Sequence, residues 1–232
     1  MLGFVISGGH MSSYTCDRTN NSPTWSLIDL FTWKLIPKRF GGGISYIQKF
    51  KDAWVRHNKT RIKLLAARHR FPPELLAGVC WIEVAGDPTF IDRVAFEVRV
   101  FDWSGPNWID RNLTVTDPPA KTSFGPVSIQ IRTAARTMGL DPNNMSSTQL
   151  RNLATCLQKD VFNIEVVALH LRKIIDHDGL QENPPYLKMD NVRIVGARYN
   201  RGMELSLDQI KRNTRYGDFI VRFWYRFARL IR

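Results

Sequence analysis

Phe71-Pro-Pro-Glu-Leu-Leu-Ala-Gly-Val-Cys-Trp-Ile-Glu83 is the stretch on which the reading of this chain turns. Two prolines open it, suited to a helix start, where a missing N–H leaves nothing unsatisfied. Leu75, Leu76, Val79, Cys80, Trp81 and Ile82 then surround the helix with hydrocarbon, which places it in a core. Glu83 is the lone charge near its end. Desolvation disfavours an ionised carboxylate there unless the group is paired or keeps its proton. A carboxylic acid protonated near neutral pH is what cleavage of a glycosidic bond asks of its general acid. The competing structural reading is that Glu83 bonds Arg68, Arg93 or an exposed helix end.

Working outward, the pattern is mainly helical. Residues 1 to about 43 are rich in Ser, Thr, Asn and Gly, and read as an irregular N-terminal extension. Its Trp25, Leu27, Ile28, Leu30, Phe31 and Trp33 are expected to pack back on the body. Ile47, Phe50, Trp54, Ile62, Leu65 and Ala66 form one stripe and predict a single helix from about Ile44 to His69. Helical spacing disappears from Gly86 to Lys121, an irregular or short β insert with aromatic tips at Phe101, Trp103 and Trp108. It resumes near Ile131–Met138. Ser146 or Ser147 caps a helix running to about Leu157. Ile164, Val167, Ala168, Leu171, Ile174 and Ile175 mark a helix over Asp160–Asp176. Helices over 191–201 and Arg215–Arg232 complete the series; the last mixes large aromatics with arginines, a pattern that fits either a basic amphipathic helix lying on a membrane or, more commonly, a closing helix with its aromatics in the core and its arginines out.

A chain of 232 residues with a net charge of +12 can bury a sizeable core and points to an anionic partner: nucleic acid, a lipid surface or an acidic wall polymer. No apolar run approaches a bilayer span. No helix-turn-helix, zinc-finger or RNA-binding pattern favours nucleic acid. Cys16, Cys80 and Cys156 are widely spaced and odd in number, which indicates neither a zinc site nor a disulfide framework, though one disulfide with a leftover thiol is allowed. His57, His69, His170 and His177 lack metal-ligand spacing and read as surface or helix-face residues, so no metal or other cofactor is expected. The N-terminus lacks a basic region and a long apolar run, and is a poor secretory signal.

Four short patterns then occur in order: Ile82-Glu83 with Gly86-Asp-Pro88 just after it; Ser123-Phe-Gly-Pro-Val-Ser-Ile-Gln-Ile-Arg-Thr-Ala134; Asn163 early in a long helix; and Gly196-Ala-Arg-Tyr-Asn-Arg-Gly202. The set resembles the lysozyme-like superfamily, specifically soluble lytic transglycosylases and goose-type lysozymes, over roughly Ile44 to Trp224. Two positions depart from the family pattern. Val84 follows Glu83 where the family usually has Ser, and Gln130 lies five residues after Gly125 instead of three. Either the loop carries two extra residues or Val127 occupies the glycine's place.

The resemblance implies a lysozyme-like catalytic domain over 44–232 that cleaves the β-1,4 bond between N-acetylmuramic acid and N-acetylglucosamine in peptidoglycan. Glu83 would protonate the leaving glycosidic oxygen. In a transglycosylase it would then act as base while the muramyl 6-hydroxyl closes on the anomeric carbon, giving a 1,6-anhydro product. In a hydrolase a second carboxylate, about 6.5–9.5 Å away for inversion, handles a water. Asp87, Asp92, Glu97 and Asp102 are the candidates, with Asp92 and Glu97 preferred. Ser123, Gly125, Gln130, Tyr199 and Asn200 would bind substrate. The resemblance leaves two settings open: an antibacterial toxin delivered to a rival's periplasm or envelope, with a cognate immunity protein as its inhibitor, or a phage-type endolysin. The N-terminal extension favours the first. The alternatives without chemistry are a basic helical binding protein and a lysozyme-like fold kept as a binding module.

Overall fold

Pro72 and Pro73 start the central helix as the prolines predict, and its backbone turns extended at Val84 (φ −65°, ψ 137°). A computed structural model describes Cys16, residues 22–84 and residues 123–232, with Ser123 and Phe124 described by their backbone. The N-terminal half runs α1 (Leu27–Leu35), a 3-10 turn (Lys38–Phe40), α2 (Ile44–His57), α3 (Lys59–Arg68) and α4 (Pro73–Glu83). The second half runs β1 (Ser123–Phe124), β2 (Ile129–Gln130), α5 (Ile131–Thr137), α6 (Ser147–Leu157), α7 (Asp160–His177), α8 (Met189–Arg201), α9 (Leu207–Lys211), α10 (Arg215–Arg222) and α11 (Trp224–Leu230). The described chain is therefore mainly α-helical. Its strands form a two-residue antiparallel pair, with Ser123 opposite Gln130 and Phe124 opposite Ile129.

Two helices hold the core together. Every residue of α4 from Leu75 to Trp81 is buried, and α2, α3, α7, α10 and α11 all touch it. Full burial of Leu75, Leu76 and Val79, worth about 1.5–3 kcal/mol for each side chain, is what allows this helix to carry one costly carboxylate. Gly78 lets the C-terminal helices come this close, since a Cβ there would stand 2.9 Å from Ile220 Cγ2 and 3.1 Å from Phe227 Cε2. The second core helix, α7, buries Phe162, Ile164, Val166, Val167, Ala168, Leu171, Ile174 and Ile175, and packs against α3, α4, α5, α6 and α8.

Several expectations need correction. The helix predicted over Ile44–His69 is two helices, broken at Asn58 (φ −89°, ψ 7°). There the Asn58 amide donates to Trp54 O at 3.1 Å and to Ser22 Oγ at 3.1 Å, fastening the N-terminal segment to the break. The extension is not irregular throughout, because α1 forms within it behind a capping box in which Ser26 and Asp29 satisfy each other's backbone N–H groups. Of its apolar residues Trp25 does pack back, against Tyr46 and Phe50, whereas Leu27, Ile28 and Phe31 face outward. The helix expected over Arg215–Arg232 is interrupted at Phe223, and its aromatics turn inward only in part: Phe227 is buried with Ile220, Leu230 and Ile231, Phe219, Phe223 and Trp224 are half-buried, and Tyr225 is exposed. His170 is a core residue, not a surface one, with Nδ1 3.0 Å from Thr137 Oγ1, and burial lowers its pKa to about 4. Cys16 and Cys156 form a disulfide that spans 140 residues and ties the extension to α6, leaving Cys80 as a buried free thiol. The insert over 86–121, with Phe101, Trp103 and Trp108, lies outside the described residues.

Candidate active site

Glu83 is the last residue of α4 and half-buried where the helix meets α10. Its Oε1 accepts a 2.7 Å hydrogen bond from the Tyr216 hydroxyl. Burial pushes the Glu83 carboxyl above its ordinary value of 4.5, against the opposing pull of the Tyr216 bond and the Lys51 charge. Of the arginines in the structural alternative, Arg68 pairs instead with Glu165 at 2.9 Å, and Arg93 lies outside the described residues.

Lys51, from α2, supports the helix end that carries the acid. Its buried Nζ donates to Trp81 O at 3.0 Å and Ile82 O at 2.6 Å, two of the carbonyls that a helix C-terminus leaves unpaired. Desolvation lowers the Lys51 pKa to about 8, with Glu83 acting in the other direction. Trp81 is held as firmly. Its indole N–H donates to Asp52 Oδ1 at 2.8 Å, Arg226 bonds the same oxygen at 2.9 Å, and that guanidinium lies 4.9 Å from the indole centroid.

Tyr216 reaches Glu83 because α8 and α10 approach at a glycine contact. A Cβ on Gly196 would stand 2.6 Å from Gly217 Cα, and one on Gly217 would collide with the Arg193 backbone. That close crossing sets Tyr199 beside Tyr216, ring centroids 5.9 Å apart, and both near Glu83. Burial, reinforced by the Glu83 charge, raises both phenols well above 10, so each stays a neutral hydroxyl. The Tyr199 hydroxyl is buried without a hydrogen-bond partner among the described residues.

Next to these groups lies an open groove of about 490 Å³ lined by Trp81, Ile82, Asn200, Arg215, Tyr216 and Phe219. Phe219 stacks on Trp81 at 5.7 Å, so one wall is aromatic while Asn200 and Arg215 supply polar groups. Arg215 makes no ion pair among the described residues.

The structure thus brings Glu83 and Tyr199 together around Tyr216, and puts Asn200 on the groove that Tyr216 lines, although neither Glu83 nor Tyr199 is itself among the lining residues. It treats the other expected residues differently. Gly125 is buried with φ +84°, and a Cβ there would strike Leu157 O and the Asn163 amide. The glycine therefore serves close packing of the hairpin on α7. Asn163 fixes the same turn by accepting from the Val127 N–H at 2.9 Å. Val127 is fully buried beneath the turn over 125–128. Gln130 stands at the N-cap position of α5 without a capping side-chain bond, and its Oε1 accepts from Arg132 Nε at 2.7 Å. Neither Gly125 nor Gln130 lines the groove. Ser123 opens β1. Asp87, Asp92, Glu97 and Asp102 lie outside the described residues. Among the described residues no cluster of His, Cys, Asp and Glu could hold a metal ion.

Sequence reasoning missed Tyr216, Lys51 and Arg215. The signal that could have found Tyr216 is Gly217 beside it, a helix-interior glycine matched by Gly196 on another helix. Nothing local marks Lys51, one basic residue among many on α2.

Replacing Tyr216 by Phe leaves the buried Glu83 oxygen without its donor, at a cost of about 1–3 kcal/mol in unfolding free energy. The lost bond is one that lowers the Glu83 pKa. The acid therefore holds its proton to higher pH, and the alkaline limb of any activity that needs protonated Glu83 moves upward. A pH–rate profile of Tyr216→Phe checks both the direction and the residue.

No family model, no curated protein sequence and no solved structure matches this chain.

Proposed function

We propose that the chain is a peptidoglycan-cleaving muramidase of lysozyme-like type, acting on the N-acetylmuramic acid–β-1,4–N-acetylglucosamine bond with Glu83 as general acid and base. The observation that carries this reading is a half-buried carboxyl at a core-helix end, raised in pKa by burial, held by one phenol and set beside a groove. The half-buried Phe219 ring, backed by the buried Trp81, gives the groove an apolar wall for a sugar ring, and Asn200 offers both a donor and an acceptor to an acetamido group. Tyr216 positions the carboxyl.

In this reading Glu83 gives its proton to the glycosidic oxygen as the C1–O4 bond breaks. The resulting carboxylate takes the proton of the muramyl 6-hydroxyl as O6 bonds to C1. The acid is thereby regenerated and no water is consumed. The charged neighbour of Glu83 among the described residues is Lys51, not a second carboxylate, which suits this one-carboxyl route. In the hydrolytic variant Asp92 or Glu97 would handle the water.

The setting we favour is an antibacterial toxin delivered to the periplasm or cell envelope and restrained by an immunity protein, with an endolysin as the alternative. The Cys16–Cys156 disulfide supports an oxidising compartment, and the +12 charge suits an anionic wall. Among the described residues no helix is long and apolar enough to cross a membrane.

Mass spectrometry of digested sacculi is the test. The expected products are 1,6-anhydro-muropeptides, lighter by one water than the reducing-end muropeptides of a hydrolase. Intact sacculi after incubation with folded protein would overturn the reading.

A further inference from the structure

One surface has no part in the groove. On α1, residues advance by about 100° each, so Leu27, Ile28, Phe31 and Leu35 share an arc of about 100°. All four are exposed, from 55% for Phe31 to 77% for Ile28. Phe40 and Ile44, on the segment that follows, are exposed as well. The opposite side of α1 is anchored, with Leu30 and Trp33 half-buried and Trp33 edge-on to the buried Trp25 at 6.2 Å. These apolar side chains therefore remain in water on a helix that is fixed in place, uncovered by any described residue.

The charges around this face select its occupant. Lys34, Lys38 and Arg39 are exposed beside it and form no ion pair among the described residues. The single acid of the segment, Asp29, lies on the other side of α1, where it accepts a 2.6 Å bond from the Tyr46 hydroxyl and bonds Ser26. The lower pKa of Asp29 reflects its bonds to Ser26 and Tyr46 overcoming the upward push of burial. What is left outward is hydrocarbon bordered by cations alone, on a chain of net charge +12. A protein partner would have to match a border whose charges are all basic, whereas an anionic bilayer supplies both a layer for the side chains and phosphates for the cations.

We propose that the exposed face of α1, with Phe40 and Ile44, lies on an anionic lipid surface, Leu27, Ile28, Phe31 and Leu35 entering the headgroup boundary while Lys34, Lys38 and Arg39 contact lipid phosphates. The terminal helices, whose aromatics and arginines resemble a membrane-binding pattern in sequence, present no comparable apolar face, because Ile220, Phe227, Leu230 and Ile231 are spent in the core and Phe219, Phe223 and Trp224 are half-buried, which leaves Tyr225 exposed by itself. The proposal is independent of the glycosidase reading, since none of these residues lines the groove.

Co-sedimentation of the full chain with phosphatidylcholine vesicles, with and without phosphatidylglycerol, tests it. The native protein is expected to pellet with the anionic vesicles, and Ile28→Glu/Phe31→Glu to partition at least about tenfold more weakly, a loss of about 1.4 kcal/mol. Lys34→Gln/Lys38→Gln/Arg39→Gln is expected to abolish the preference for phosphatidylglycerol while leaving the apolar face intact. Circular dichroism and melting curves confirm that both variants keep the fold. Three results would overturn the proposal. One is native protein that stays in the supernatant. Another is binding equal to native in both variants, which would assign it to the remaining basic surface. The third is a dimer in light scattering, dispersed by Ile28→Glu/Phe31→Glu with no vesicle binding, which would make a second copy the occupant.

Discussion

Glu83→Gln is expected to lower wall-lytic activity by about 10²–10⁴-fold while raising thermal stability at neutral pH. Gln keeps the shape and an oxygen to accept the Tyr216 hydroxyl, but has no proton to give. The stability gain follows from the sign of the Glu83 shift. Its folded pKa lies above the ordinary 4.5, so the folded state binds this proton more tightly than the unfolded chain does. Above the folded pKa the native protein bears the full cost of an ionised, half-buried carboxylate. As pH falls through that pKa towards 4.5 the cost is relieved, and below it the two proteins should melt alike. The attraction to Lys51 is already included, because the net shift is upward despite it. Melting curves of both proteins from pH 4 to pH 8, with turbidity of a wall suspension in parallel, make the comparison. A variant that still lyses walls would remove Glu83 from the chemistry, and one less stable at neutral pH would contradict the burial account.

The largest structural loss is expected at Arg198, within the Gly196–Gly202 turn sequence but directed away from the groove. It is 1% exposed, bonds both carboxylate oxygens of Asp178 at 2.7 and 2.9 Å, and donates to the carbonyls of Met203 and Leu205. Arg198→Ala leaves a buried carboxylate and two carbonyls without their donor, at a cost of about 3–5 kcal/mol. Burial pushes the Asp178 carboxyl up, but the bonds and charges of Arg198 and His177 outweigh it and hold it below the usual 3.8. The stabilisation is therefore complete above pH 3.8 and lost as pH falls through the lower, folded pKa. Urea unfolding of native and variant at pH 7 measures the first effect. A variant whose stability no longer responds to acid at this site shows the second. A cost under about 1 kcal/mol would mean that Arg198 contributes no more than a surface pair.

These two residues show what local pattern can and cannot reveal. Glu83 stood out because one carboxylate at the end of a hydrocarbon helix is anomalous within a few residues of chain, and its environment follows from the residues beside it. Arg198 sits in the same kind of string as Tyr199 and Asn200, yet nothing in the string says that it points to Asp178. Helix positions were legible for the same reason as Glu83: Ser146, Pro73 and the spacing over Asp160–Asp176 act over one or two turns. The break at Asn58 was not, because the stripe from Ile47 to Ala66 continues across it and the Asn58 bond to Ser22 comes from a distant segment. Gln130 and Gly125 have neighbours that the sequence pattern did not disclose: Arg132 bonds the Gln130 side chain, and Gly125 packs against Leu157 and Asn163.

By itself the sequence determined the mainly helical class, the burial of the Phe71–Glu83 helix and the choice of Glu83 as the residue with an unusual proton. Each depends on periodicity or desolvation within one helix. The tertiary structure alone decided that Tyr216, 133 positions away, holds that carboxyl, that Lys51 caps the helix beneath it, and that α1 keeps an apolar face uncovered by the described residues. Those outcomes depend on how helices cross, and the crossing of α8 with α10 is set by the absence of two Cβ atoms at Gly196 and Gly217, whose partnership is defined only once both are packed.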